Sequence, residues 1–151
     1  MLSILQGVIT VAGRVLLCAI FFASAVGQKI PHFNDFAAMM EQHGLPAAKV
    51  LLAGAIVFLI VGSLSVIVGY KARLGALLLL VFLALATYYF HNFWAAEEAQ
   101  RQMQLVQFMK NLSMIGAMLL IIANGPGPMS FDARQGEAMP TFHPTDRTAS
   151  L

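Results

Sequence analysis

The chain is poor in charge. Asp, Glu, Lys and Arg make up 11% of its 151 residues, under half of the roughly 25% usual in soluble domains. Water is therefore not its main solvent, and a mean hydropathy of +0.76 agrees. A net charge of +2 without any basic run excludes nucleic acid as a partner. The single cysteine, Cys18, excludes an intrachain disulfide, and the lack of a CxxC excludes a dithiol relay within the chain. Inside the first apolar run, Cys18 reads as a small buried side chain. His32, His43, His91 and His143 form no HxxH or HxxxH pair, so no metal site is expected. Acids are missing from the apolar runs altogether.

What remains is apolar sequence in blocks long enough to cross a bilayer, which takes roughly 20 helical residues. Such blocks run from about Ile4 to Val26, Ala48 to Val68, Leu74 to Phe93 and Leu105 to Ala123. Gly54, Gly62, Ser63, Ser65, Gly75 and Gly116 lie inside them, where small residues let helix backbones approach. Tyr88, Tyr89 and Trp94 read as an interfacial aromatic belt. "ASA" at Ala23 to Ala25 resembles a signal-peptide cleavage site. The preceding run is long, interrupted by Arg14 and lacks a basic start, so it reads as a retained span. The expected fold is an all-α membrane protein, a four-transmembrane-helix bundle over residues 1–124, followed by a polar C-terminal tail over 125–151.

Lys71, Arg73, Arg134 and Arg147 fall on the side of the N-terminus, while Lys29, Lys49 and Arg101 on the other side are mixed with Asp35, Glu41, Glu97 and Glu98, which favours both termini in the cytoplasm. On the outer side, "GQKIPHFNDFAAMMEQHGLPAAK" predicts a short amphipathic helix opened by Pro31 and closed at His43-Gly44. Phe33, Phe36, Ala37 and Met40 share its face. The connection "AAEEAQRQMQ" is expected to extend helix ends beyond the membrane, and "NGPGPMSFDAR" to end the last span.

Polar groups inside the spans are the candidates for function. Arg14 lies about ten residues into the first span, near mid-depth, where a charge costs about 2.5–3.5 kcal/mol. It should therefore face the bundle, on a stripe with Cys18, Phe21, Ala25 and Gln28. A second stripe holds Gln104, Gln107, Asn111 and Met114, with Lys110 beside it. Lys110 sits roughly 8–9 Å inside and can snorkel; Asn111 needs a hydrogen-bonding neighbour. The topology gathers Gln28, Lys29, His91, Asn92, Gln107, Lys110 and Asn111 in the outer half, with Asp35 or Glu41 able to close over them. Cations, one histidine and aromatic walls suit an anionic or quinone-like headgroup. Pinning of helices by the same groups is the competing reading.

In these pieces the chain resembles the DoxX family of small bacterial inner-membrane proteins, over about Val11 to Arg134. The resemblance rests on "GRVLLCAIFFASAVGQKI", "GLPAAKVLLAGAIVFLIVGSLSVIVGYKARLGALLL", "HNFW", "FMKNLSMIGAMLLI" and "GPGPMSFDAR". The family's early arginine matches Arg14, its Gly-x-Lys matches Gly27 to Lys29, its Lys-Asn pair matches Lys110-Asn111, and its Gly-Pro-Gly followed by Ser-x-Asp matches Gly125 to Gly127 and Ser130 to Asp132. Many relatives carry an acid near the start of the second span; "AKVLLAGAIV" has none, which leaves the counter-charge open. The resemblance implies a four-helix inner-membrane protein, in a family with members linked to thiosulfate:quinone oxidoreduction and to oxidative-stress assemblies. The resulting expectation is a quinone-linked redox protein or oxidoreductase subunit. Arg14, Lys29, Lys110 and Asn111 would bind the headgroup, and His91 would bind it and carry a proton. No cofactor is covalently held. Membrane lipid surrounds the chain, and a protein partner or second copy takes part. The alternatives are a non-catalytic anchor or scaffold, and a small-molecule or lipid carrier.

Overall fold

The computed structural model describes residues 2–136; the rest of the expected polar tail, with His143 and Arg147, lies outside the described residues. Helix α1 covers Leu2–Ala23 and continues as a π-helical segment, Ser24–Lys29. Helix α2 is Phe33–Gln42, α3 Ala48–Val68, α4 Ala72–Phe90, α5 Glu98–Asn124 and α6 Phe131–Arg134. Among the described residues, four helical stretches are long and apolar enough to cross a membrane: Ile4–Lys29, Ala48–Val68, Ala72–Phe90 and Glu98–Asn124. The chain is a multi-pass, all-α bundle.

The core runs through the middle of the bundle, where Cys18, Phe21, Leu59, Val66, Leu79, Leu83 and Met118 are buried and pack as one cluster. Most outward side chains, such as Leu16, Val50, Leu85 and Leu120, are apolar and exposed, as a lipid-facing surface requires. Helices α3 and α4 cross at two glycines. A Cβ on Gly62 would lie 2.9 Å from the Gly75 carbonyl oxygen, and one on Gly75 would lie 2.9 Å from the Gly62 oxygen. No other residue permits that approach without moving a backbone.

The span boundaries shift in physically simple ways. Helix α4 stops at Phe90 rather than Phe93, because His91 leaves helical geometry with φ −129° and ψ 38°. Residues 91–96 then turn, and α5 starts within the polar stretch, at Glu98. Helix α2 follows Pro31 as expected and ends at His43, with Gly44 at φ +76°. Its face of Phe33, Phe36, Ala37 and Met40 turns towards the bundle, with Ala37 fully buried.

Residues 125–134 form a strap. A Cβ on Gly127 would meet the Thr10 side chain at 2.9 Å, so the strap lies against the N-terminal half of α1. Ser130 caps α6, accepting from Ala133 N–H at 3.1 Å and donating to the Gly127 carbonyl at 2.7 Å. The Asp132 carboxylate accepts from the backbone N–H groups of Lys71 at 2.7 Å and Ala72 at 3.0 Å. This caps α4 with an acid from a distant part of the chain, at the helix end that favours negative charge.

Candidate functional site

The π-helical segment shapes the site. Its wide turns bond residues five apart, as in Ile30 N–H to the Ala25 carbonyl at 3.0 Å, a geometry frequent at functional positions. The same spacing stacks Lys29 over Ser24, and Lys29 Nζ donates to Ser24 Oγ at 2.6 Å. The ammonium also stands 5.3 Å from the ring centre of Phe36, on α2, and 5.5 Å from that of Phe82, on α4. Two aromatic faces hold the cation in a partly dry place. Among the described residues the only close ion pair joins His32 Nδ1 to Asp35, at 3.6 Å and in the open. Lys29 therefore has no carboxylate neighbour there.

Across from Lys29 stand the end of α4 and the start of α5. His91 caps α4, its backbone N–H donating to the Thr87 carbonyl at 3.1 Å. Its Nδ1 is 3.0 Å from Gln104 Oε1; with that oxygen accepting, Nδ1 carries the proton and Nε2 is left as an acceptor. One turn deeper, Asn111 is buried and donates from Nδ2 to Thr87 Oγ1 at 2.9 Å. That bond satisfies the amide and ties α5 to α4 at membrane depth. Lys110 is exposed and donates to Gln107 Oε1 on its own helix.

These groups border one cleft of about 1140 Å³. Its polar lining is Ser24, Gln28, Lys29, His91, Gln104, Gln107, Lys110 and Asn111; its apolar lining includes Phe21, Phe58, Phe82, Tyr89 and Phe90. Phe36, Met39 and Met40 of α2 cover it. Lys29, His91, Lys110 and Asn111 thus share one space, as the sequence pattern suggests. Asn92 does not line it, nor do Asp35 and Glu41, which are exposed on α2.

Arg14 is the main correction. It does not share the cleft: it is 4% exposed at the opposite end of the bundle, donating from Nη2 to the Met129 carbonyl at 3.0 Å. Cys18 and Phe21 of the apolar core separate it from Lys29 along α1. A helical side chain leans towards the N-terminus of its helix, so Arg14 reaches the α3–α4 turn and the strap rather than the outer half. Among the described residues no carboxylate pairs with it; Asp132, three residues after Met129, is bonded to the Lys71 and Ala72 N–H groups. Among the described residues, Nε and Nη1 find no hydrogen-bond partner. Sequence reasoning missed Ser24, Thr87 and the strap. The Ser-x-Asp after Gly-Pro-Gly was the available signal, since Ser130 and Asp132 are capping residues for helix starts.

The fold and the cleft define a class: a multi-pass α-helical membrane protein with an amphipathic recess in one half of its bundle. The chain belongs to the DoxX family, whose profile matches residues 9–92. It is 30% identical over 128 residues to the inner membrane protein YqjF of Escherichia coli, covering 85% of this chain and 92% of that one. It is also 29% identical over 80 residues to the ER-derived vesicles protein ERV29 of Saccharomyces cerevisiae, and 25% over 126 residues to the Surfeit locus protein 4 homolog of Schizosaccharomyces pombe. Those matches cover 53% and 82% of this chain but only 26% and 36% of the two eukaryotic proteins. No solved structure matches the chain.

Proposed function

We propose that the chain binds the headgroup of a membrane quinone in the Lys29–His91–Asn111 cleft and serves as the quinone-binding membrane subunit of an oxidoreductase assembly. One observation carries this: Lys29 is a half-buried cation between two aromatic rings, with no carboxylate beside it among the described residues, at the edge of a roomy cleft with apolar walls. A ring carbonyl is a suitable acceptor for the ammonium. Phe36 and Phe82 suit a flat ring, and the apolar lining suits an isoprenoid tail. About 1140 Å³ of space is slightly more than the usual small-molecule site encloses.

A bound quinone supplies two-electron, two-proton chemistry. The chain's own groups bind and orient it. Lys29 offers a donor, Asn111 is anchored through Nδ2 and keeps its carbonyl as an acceptor, and His91 holds or releases a proton at Nε2 while Gln104 fixes its ring. Without a redox motif in the sequence, electrons come from a protein partner or directly from substrate. The likeness to YqjF supports a bacterial inner membrane. Both described ends of the bundle's outer helices lie with Lys71, Arg73 and Arg134, which favours cytoplasmic termini.

The test is extraction of the full chain in native lipid, followed by mass spectrometry of co-purified quinone. Wild type should retain quinone, and Lys29→Met should lose most of it. Equal amounts in both, or none in wild type, would remove this reading and leave an anchor or scaffold. Retained phospholipid in place of quinone, sensitive to Lys29→Met, would favour the carrier reading.

A further inference from the structure

The end of the bundle opposite the cleft carries cations that the proposed function does not use. Lys71 and Arg73 flank the start of α4, Arg134 ends α6, and all are exposed. The strap assembles them. Because Asp132 bonds the Lys71 and Ala72 backbone N–H groups, Arg134, two residues further on, is held beside the α3–α4 turn. The Arg73 guanidinium comes within 3.8 Å of the point where a Cβ on Gly125 would lie, so it rests against the start of the strap.

Aromatic rings frame these cations. Lys71 Nζ is 5.8 Å from the Tyr70 ring centre, and the Arg134 guanidinium carbon is 5.8 Å from that of Phe131. Tyr70 and Phe131 are 46% and 49% exposed. Rings at helix ends, open to their surroundings, sit at the headgroup level of a bilayer. Among the described residues, no carboxylate makes an ion pair with the patch. Among the described residues, Asp35, Glu41, Glu97 and Glu98 belong to the other end of the bundle, and buried Asp132 is engaged with backbone N–H groups.

We propose that Lys71, Arg73 and Arg134, framed by Tyr70 and Phe131, bind the phosphate of an anionic phospholipid in the leaflet at this end of the bundle. Guanidinium groups match phosphate oxygens in pairs, and an ammonium adds a point charge. Basic side chains at a membrane surface attract anionic headgroups over a Debye length. The exposed apolar groups beside them, including Met129, match acyl chains, so a lipid meets both halves of the surface where a soluble anion meets one.

The test uses the full chain in detergent with equal amounts of phosphatidylglycerol and phosphatidylcholine, read by native mass spectrometry. Wild type should retain phosphatidylglycerol preferentially, less so as salt rises. The K71Q/R73Q/R134Q variant should lose that preference, by about fivefold per cation removed. K49Q/R101Q, at the other end, should keep it. R134Q alone, on the short terminal helix, gives an intermediate loss and guards against misfolding of the triple variant. No preference in wild type, an unchanged preference in the triple variant, or complete displacement by inorganic phosphate at matched salt would overturn the proposal. Quinone retention plays no part in these readouts, so the two proposals fail separately.

Discussion

The Arg14 guanidinium occupies the space that a side chain on Gly69 would need. Gly69 has φ +73°, and a Cβ there would collide with Arg14 Nη1 and with Ser130. Its carbonyl also accepts from the Asp132 backbone N–H at 2.9 Å. One glycine therefore ends α3, admits an arginine from α1 and receives the strap. Gly69→Ala should lower the unfolding free energy in detergent by about 2–4 kcal/mol, from left-handed strain plus displacement of Arg14. Gly13→Ala, where a Cβ meets nothing, should be neutral or slightly stabilising. Thermal unfolding of the two variants side by side checks this; equal midpoints would contradict it.

Asp132 acts at a distance as the cap of α4. Both its carboxylate oxygens accept backbone N–H groups, so Asp132→Ala leaves both donors unpaired and should cost about 1–3 kcal/mol. Asp132→Asn keeps one oxygen acceptor and should cost less. Limited proteolysis should cut within residues 125–134 faster in Asp132→Ala than in wild type, because the strap loses its tether to α4.

Arg14 and Lys29 should separate by function. Arg14→Ala removes the bond to the Met129 carbonyl and should lower thermal stability while leaving co-purified quinone unchanged. Lys29→Met should do the reverse: its aliphatic stem keeps packing between the rings, so stability stays near wild type while quinone falls. A common effect of both variants on quinone would show that the two ends of the bundle are coupled.

The crossing of α3 and α4 should tolerate no side chain. Gly75→Val would drive a branched Cβ into Ser65 and the Gly62 carbonyl, forcing the helices apart and opening a gap beside Leu79. A loss of several kcal/mol is expected, of the order seen for overpacked cores, with reduced yield of folded protein as the readout.

Much of this was legible in the sequence, since hydropathy and length decide where a chain crosses a bilayer. The four spans follow from that, α2 from Pro31, His43-Gly44 and its apolar face, and the end of α4 moved because His91 leaves the helix. Lys29, His91, Lys110 and Asn111 fall together because antiparallel spans bring equal depths side by side. Arg14 was misplaced for a reason that depth-counting cannot see. A long side chain ends well away from its own Cα, and its partner, the Met129 carbonyl, lies more than a hundred residues away in sequence. The π-helical turn that sets Lys29 over Ser24 left no distinct periodic signature either, because six residues are too few to shift a hydrophobic pattern.

The central claim is that the cleft beside Lys29 holds a quinone ring. Photolabelling of the full chain in native membranes with an azido-quinone, with and without excess unlabelled quinone, tests it most directly. Competable label is expected on peptides containing Lys29 and on those spanning Gln107 to Asn111, greatly reduced in Lys29→Met. Label confined to the lipid-facing surfaces, or unaffected by competitor, would contradict it.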